Sequence, residues 1–245
     1  MYWAGRKIHG THSHGQAFDL IKRQIHIGSL RPCEQFPSER KLADTLGISR
    51  ATLREALKQL EENSYIVVRR GATGGTFIAD DDTINKIARR FLLSQPERAW
   101  RSLEYLRACM DLASALACTR RDLKDINDLR ISSERLVNAQ SGGDFREPLY
   151  LFTYNIGGAS KNQFFQKAAE TAMESLFCPI LKTSIDDLAK PLGKTAGAMT
   201  KAILDQDIST IPPLVSTFFD ALTSHIHNCM LTRKSEQQTT MPPHM

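Results

Sequence analysis

Apolar residues recur at helical spacing near the start of the chain. Phe18, Ile21 and Ile25 lie three and four apart and predict a first amphipathic helix over about 16–27, stopped by Gly28 and Pro32. A second helix opens at Ser38, a good N-cap placed after Pro37, and runs through Leu42, Ala43 and Leu46 to Gly47. Only Ile48 separates it from the next N-cap, Ser49, and the third helix carries Leu53, Ala56, Leu57 and Leu60 on one face. Two short helices joined by a tight glycine turn predict a helix-turn-helix. The period then changes: residues 65–70 (Tyr-Ile-Val-Val-Arg-Arg) and 76–78 (Thr-Phe-Ile) are strand formers, with Gly71, Gly74 and Gly75 between them for the turn. A hairpin attached to a helix-turn-helix is a wing.

Asp80-Asp81-Asp82 reads as a linker, with a new helix capped near Thr83. From there to about Arg233 no strand pair is predicted. Helices are expected at 83–95, 97–119, 121–140, 145–158, 162–187, 194–206 and 208–231. The breaks fall at Pro96, Gly142-Gly143, Gly157-Gly158, Pro191-Leu192-Gly193 and the Asp205–Asp207 corner. The expected organisation is a flexible tail (1–14), a winged helix-turn-helix (15–79), a linker and linking helix (80–96), an all-helical domain for effector binding and dimerisation (97–232) and a disordered tail (233–245). The fold class is mainly α: a winged helix-turn-helix with a small hairpin, then an antiparallel all-α bundle of six to seven helices.

Composition narrows the function. The 245 residues leave room for two modest cores, and 41% hydrophobic with 24% charged residues is ordinary for a globular protein. No apolar run spans a bilayer and residues 1–16 lack the apolar core of a secretory signal, so a cytoplasmic protein with no membrane partner is expected. Of the net charge of +5, residues 1–80 hold +4, from 12 Lys+Arg against 8 Asp+Glu, which suits phosphate contacts. The five cysteines (Cys33, Cys109, Cys118, Cys178, Cys229) are scattered without a Cys-x-x-Cys pair, so they read as free thiols rather than a zinc site or disulfide framework. His9, His12 and His14 sit in the polar N-terminal tail.

The third helix of this pattern lies in the major groove, with its N-terminal residues at the base edges. Here that end reads Ser49-Arg50-Ala51-Thr52-Leu53-Arg54. Arg50 and Arg54 share a face opposite the apolar stripe, and a guanidinium pairs bidentately with guanine O6 and N7. Ser49, Ala51 and Thr52 are placed for phosphate or a thymine methyl. Arg40, near the start of the second helix, reaches the flanking backbone, while Arg69, Arg70 and Gly71 place the wing at the minor groove. The competing reading is a three-helix core with solvated arginines; the order and spacing of all the pieces favour DNA.

Residues 37–43 (Pro-Ser-Glu-Arg-Lys-Leu-Ala) with 46–57 (Leu-Gly-Ile-Ser-Arg-Ala-Thr-Leu-Arg-Glu-Ala-Leu) closely resemble the GntR family of bacterial regulators, and the hairpin resembles its FadR branch. The resemblance implies that Arg40, Ser49, Arg50, Thr52, Arg54, Arg70 and Gly71 occupy DNA-contacting positions. It also implies a homodimer on a short pseudo-palindromic operator in double-stranded DNA, and a helical domain that binds a small-molecule effector. Most members of that branch hold a metal with one Asp and three His; by resemblance those positions fall on Leu149, Thr153, Ala196 and Phe218, none a good ligand. His225 and His227, two apart, point to different helix faces and do not chelate together. No metal and no other cofactor is therefore expected. Leu149, Thr153, Ala196 and Phe218 are expected to line an apolar effector cavity, with Arg107 as anchor for a carboxylate. The founding branch binds long-chain acyl-CoA without metal, which implies an acyl-type or aromatic carboxylic effector. The protein is thus read as a transcription regulator, a repressor released by its effector; the alternative is a regulator whose helical domain only dimerises. With no phosphate loop or nucleophile motif, an enzyme is not expected.

Overall fold

The computed structural model describes residues 14–71, 74–180 and 185–231. Three helices and a hairpin come first: α1 (His14–His26), α2 (Glu39–Leu46), α3 (Arg50–Glu62), then β1 (Ile66–Arg69) and β2 (Gly75–Ile78). The Ser38 and Ser49 side chains cap α2 and α3 by accepting from the Lys41 and Thr52 amides. Gly47, at φ 71°, closes α2 in the left-handed conformation. The strands pair antiparallel, Ile66 opposite Ile78 and Arg69 opposite Gly75, and residues 34–36 add a further edge through Phe36 N–H to Thr76 O and Ile78 N–H to Glu34 O. Ile21, Ile25, Leu42, Leu46, Leu53, Ala56 and Leu60 form the core beneath, as their spacing predicts.

Among the described residues seven α-helices follow: α4 (Asp81–Ser94), α5 (Pro96–Arg120), α6 (Leu123–Val137), α7 (Gly142–Ala159), α8 (Gln163–Ser175), α9 (Ile185–Asp205) and α10 (Ile211–Leu231). Of these α5–α10 make a six-helix bundle, with α6 packed on α7 and α9, α8 on α5 and α7, and α10 on α9 and α5. None of the described helices is long and apolar enough to cross a membrane. The bundle encloses a second core that includes Leu106, Met110, Phe152, Ile203, Val215 and Phe219. Helix α4 serves both cores, giving Ile84, Ile87 and Ala88 to the first and Leu92 to the second.

Several expected breaks are not breaks. Asp80 is the N-cap of α4, its carboxylate accepting from the Thr83 amide, so Asp81 and Asp82 lie in the helix's first turn, where acidic groups favour the dipole. Gly142-Gly143 open α7 behind the Ser141 cap, and Gly157-Gly158 lie inside its last turns. Pro191-Leu192-Gly193 sit within α9, where an added Cβ on Gly193 would meet the Val137 backbone nitrogen at 2.5 Å. The glycine serves close packing of α6 on α9, and tertiary burial outweighs its low helix propensity. The single helix expected over 162–187 instead ends at Ser175, and residues 176–180 run across the junction between the two cores. Helix α1 includes His14, which the expected tail had taken in; the rest of that tail, with His9 and His12, and the expected C-terminal tail from residue 233 lie outside the described residues.

Candidate nucleic-acid interface

Arg40, Ser49, Arg50, Ala51, Arg54, Arg69, Arg70 and Gly71 are all exposed, and Thr52 is half-buried. They divide between the first turns of α2 and α3 and the β1 end of the wing. The buried stripe of α3 faces α1 and α2, which turns Arg50 and Arg54 outward. The Ser49 hydroxyl accepts from the Thr52 amide at 3.0 Å and lies 2.8 Å from the Thr52 hydroxyl, so this pair builds the helix start. The Arg54 Nε donates to Glu39 Oε2 at 2.8 Å with its side chain still 60% exposed, a solvated pair that costs little to break. On the wing, the Arg69 guanidinium lies 4.6 Å over the Phe77 ring. Gly71 is at φ 107°, a conformation costly for other residues, with nothing within 4 Å of an added Cβ. The feature required there is the backbone turn.

In the bundle, Leu149, Thr153, Ala196 and Phe218 are buried, and of the four Leu149 lines the cavity described below. The Thr153 hydroxyl donates to the Leu149 and Tyr150 carbonyls of its own helix, and Phe218 packs on Phe152 and Phe219. A divalent ion does not fit there: three members are apolar and the only oxygen is engaged. Arg107 donates to Asp220 at 3.2 Å and to Ser216 at 3.0 Å, and it is outside the lining of the cavity described next.

A cavity with a volume of about 30 Å³ lies where the bundle meets the winged helix-turn-helix. Leu149 lines it together with His26, Phe145, Arg146, Cys178 and His225, among others. His26, the last residue of α1, stacks on Phe177 with ring centroids 3.8 Å apart and planes 7° from parallel. Its Nε2 lies 2.8 Å from the Tyr65 hydroxyl and its Nδ1 3.4 Å from the Glu174 carbonyl. Since that carbonyl only accepts, Nδ1 carries the proton and the Tyr65 hydroxyl donates to Nε2. Burial pushes the His26 pKa down to about 3, with the cations of Lys22, Arg146 and Arg98 adding to it. Arg146 is buried, pairs with Asp81 at 3.4 Å, donates to Asn85 and keeps an Nε with no partner among the described residues. Phe177 belongs to the first core and Ile27 to the second, so each core takes one ring or branch from the other side.

Sequence reasoning missed this junction, because its members are far apart in the chain. One local signal was present. His225 and Cys229 are four apart on α10 and share a face, whereas the exposed His227 does not. Cys178 reaches the same point from the 176–180 segment, and the three donor atoms lie within 4.8 Å of one another.

Residues 14–78 match the family described as bacterial regulatory proteins, gntR family. The chain is 32% identical over 125 residues to RmpR of Mycobacterium gastri, named as an HTH-type transcriptional regulator, with 50% of this chain and 46% of RmpR covered. It is 39% identical over 64 residues to the HTH-type transcriptional repressor NagR of Bacillus subtilis, covering 26% of each. The matched stretch thus spans less than half of either relative. Among solved structures it is similar to McbR/YncC of E. coli, with a TM-score of 0.49 at 17% identity over 88% of this chain and 98% of that one.

Proposed function

We propose, from the match of residues 14–78 to the gntR family of bacterial regulators, that the chain is a sequence-specific DNA-binding transcription regulator, a repressor acting as a homodimer on a short pseudo-palindromic operator. The observation that carries this reading is the outward display of Arg50 and Arg54 from a capped helix beside an arginine-bearing wing. Tyr105 and Leu112 are exposed on one face of α5, 49% and 55% accessible, with the half-buried Cys109 between them; this stripe suits a second copy of the bundle. The test selects a binding site from random duplex DNA and compares variants on it. Arg50→Ala and Arg54→Ala each weaken binding by about 1–3 kcal/mol and relax preference at one base pair per half-site. The wild-type footprint should be two-fold symmetric and the free protein should sediment as a dimer. Undiminished specific binding by both variants would exclude α3 as the reading helix.

The effector belongs to the junction cavity, where an apolar wall adjoins the incompletely partnered Arg146, a combination that suits an acyl-type or aromatic acid held without metal at the family's four positions. Arg146 takes the anchoring role expected of Arg107. At about 30 Å³ the cavity holds on the order of two waters, so such an effector enters only by moving the helices apart. That small volume equally favours the second reading, in which the bundle dimerises and binds no organic ligand.

A further inference from the structure

Three donors of soft-metal chemistry converge beside the cavity. The His225 Nε2 lies 2.9 Å from the Pro179 carbonyl oxygen and 3.4 Å from the Cys229 Sγ. The thiols of Cys178 and Cys229 approach the same oxygen at 3.7 and 3.6 Å. All three donor atoms fall within 4.8 Å of one another, and a tetrahedral ion with bonds of about 2.0 Å to nitrogen and 2.3 Å to sulfur needs nitrogen–sulfur edges of about 3.5 Å. We propose that Cys178, His225 and Cys229 form a site for a thiophilic d10 metal ion, of which zinc(II) is the type, and that loading it clamps residues 176–180 onto α10 and alters DNA affinity.

The ligand set matches that ion in hardness and in charge. Two thiolates neutralise a divalent ion, and a neutral assembly is tolerated against the apolar wall of Leu149, Leu188, Leu222 and Ile226. Binding releases the thiol protons to solvent. It also moves the His225 proton from Nε2, where it faces the Pro179 carbonyl, to Nδ1, freeing Nε2 for the metal. Water or the Pro179 carbonyl completes the fourth position.

The coupling follows from the neighbours of Cys178. Phe177 is plugged into the winged helix-turn-helix core against His26, and the Ile180 amide donates to Asn85 of α4 at 2.9 Å. A metal that ties Cys178 to α10 therefore fixes the segment joining bundle, linking helix and DNA-binding core. This half rests on the DNA-binding reading; the metal half does not.

The test uses the full chain with His9, His12 and His14 changed to Gln, so that the N-terminal histidines do not compete. Cobalt(II) should bind at one ion per chain with a thiolate-to-metal charge-transfer band and tetrahedral d–d bands, and zinc(II) should displace it. Cys178→Ser, Cys229→Ser and His225→Gln should each weaken zinc binding by about 100-fold or more, with the Ser variants also losing thiolate intensity, whereas Cys33→Ser and Cys109→Ser change nothing. A wild-type protein without the thiolate band, or a band unchanged in both Cys178→Ser and Cys229→Ser, overturns the site whatever the stability of the variants. On DNA selected by the metal-free protein, zinc should change affinity by about fivefold or more. No change with the band present overturns the clamp. A protein that selects no DNA at all overturns the regulator reading, while the cobalt spectrum still decides the site.

Discussion

His26 shows how one side chain acquires a role that its type does not announce. Stacked on Phe177 and bonded to Tyr65, it is held neutral, its pKa pushed down to about 3 by burial from an ordinary 6.5. Between those values the unfolded chain binds a proton that the folded chain refuses, so acid favours unfolding. Stability is complete above pH 6.5 and falls as pH drops toward 3, by about 1.4 kcal/mol per pH unit from this group. Urea unfolding at pH 7 and pH 5 should differ by about 2 kcal/mol more in the wild type than in His26→Gln. An equal pH dependence in the two proteins would mean that the imidazole is charged or solvated in the native state. At the same scale the Ser49 hydroxyl shows a residue expected at DNA whose first task is local, since it caps α3.

The elements follow their periodicity where one face is buried, and depart from expectation where packing asks for something else. Helix α9 is the clearest case, because two glycines in its interior have opposite surroundings. An added Cβ on Gly193 meets Val137 backbone at 2.5 Å, while one on Gly197 meets nothing within 4 Å. Gly193→Ala should therefore destabilise the bundle by about 1–3 kcal/mol through overpacking. Gly197→Ala should stabilise it by about 0.5–1 kcal/mol through helix propensity alone. Thermal melts of the two variants read opposite signs; a stabilised Gly193→Ala would show that α6 and α9 are not in contact there. Helix α8 makes the converse point. Its apolar pattern continues past Ser175, yet residues 176–180 leave the helix so that Phe177 joins the other core.

At the scale of the molecule the two cores are interlocked rather than strung on a linker. Ile27 packs with the bundle, Phe177 with the winged helix-turn-helix, and ion pairs Arg23–Glu174 at 2.7 Å and Arg31–Glu147 at 3.0 Å cross between them. An organic ligand larger than the junction cavity would have to part this seam to enter. A thermal-shift screen of acyl-CoAs, aromatic acids and sugar acids should find one class that raises the melting temperature, and Arg146→Met should abolish that rise. A screen with no stabilising acid favours the bundle that only dimerises.

The sequence by itself determined the local architecture. Serine caps, the glycine at the helix-turn-helix turn, the strand formers and glycines of the hairpin and the apolar stripes of α1–α3 act over a few residues, so their spacing is readable without coordinates. It also placed the arginines of α3 and the wing on exposed faces, because a side chain opposite a buried stripe faces water. The junction was decided by the tertiary structure alone. His26, Arg146, Phe177, Cys178 and His225 meet only after α1, α7, α10 and the 176–180 segment have packed, and no short-range pattern encodes contacts made over 30 to 200 residues. The same reason sent Arg107 to Asp220 and Phe218 into an aromatic cluster. A helix pattern specifies which face is buried, whereas the partner on that face, and any cavity left between them, is a property of how the helices close on one another.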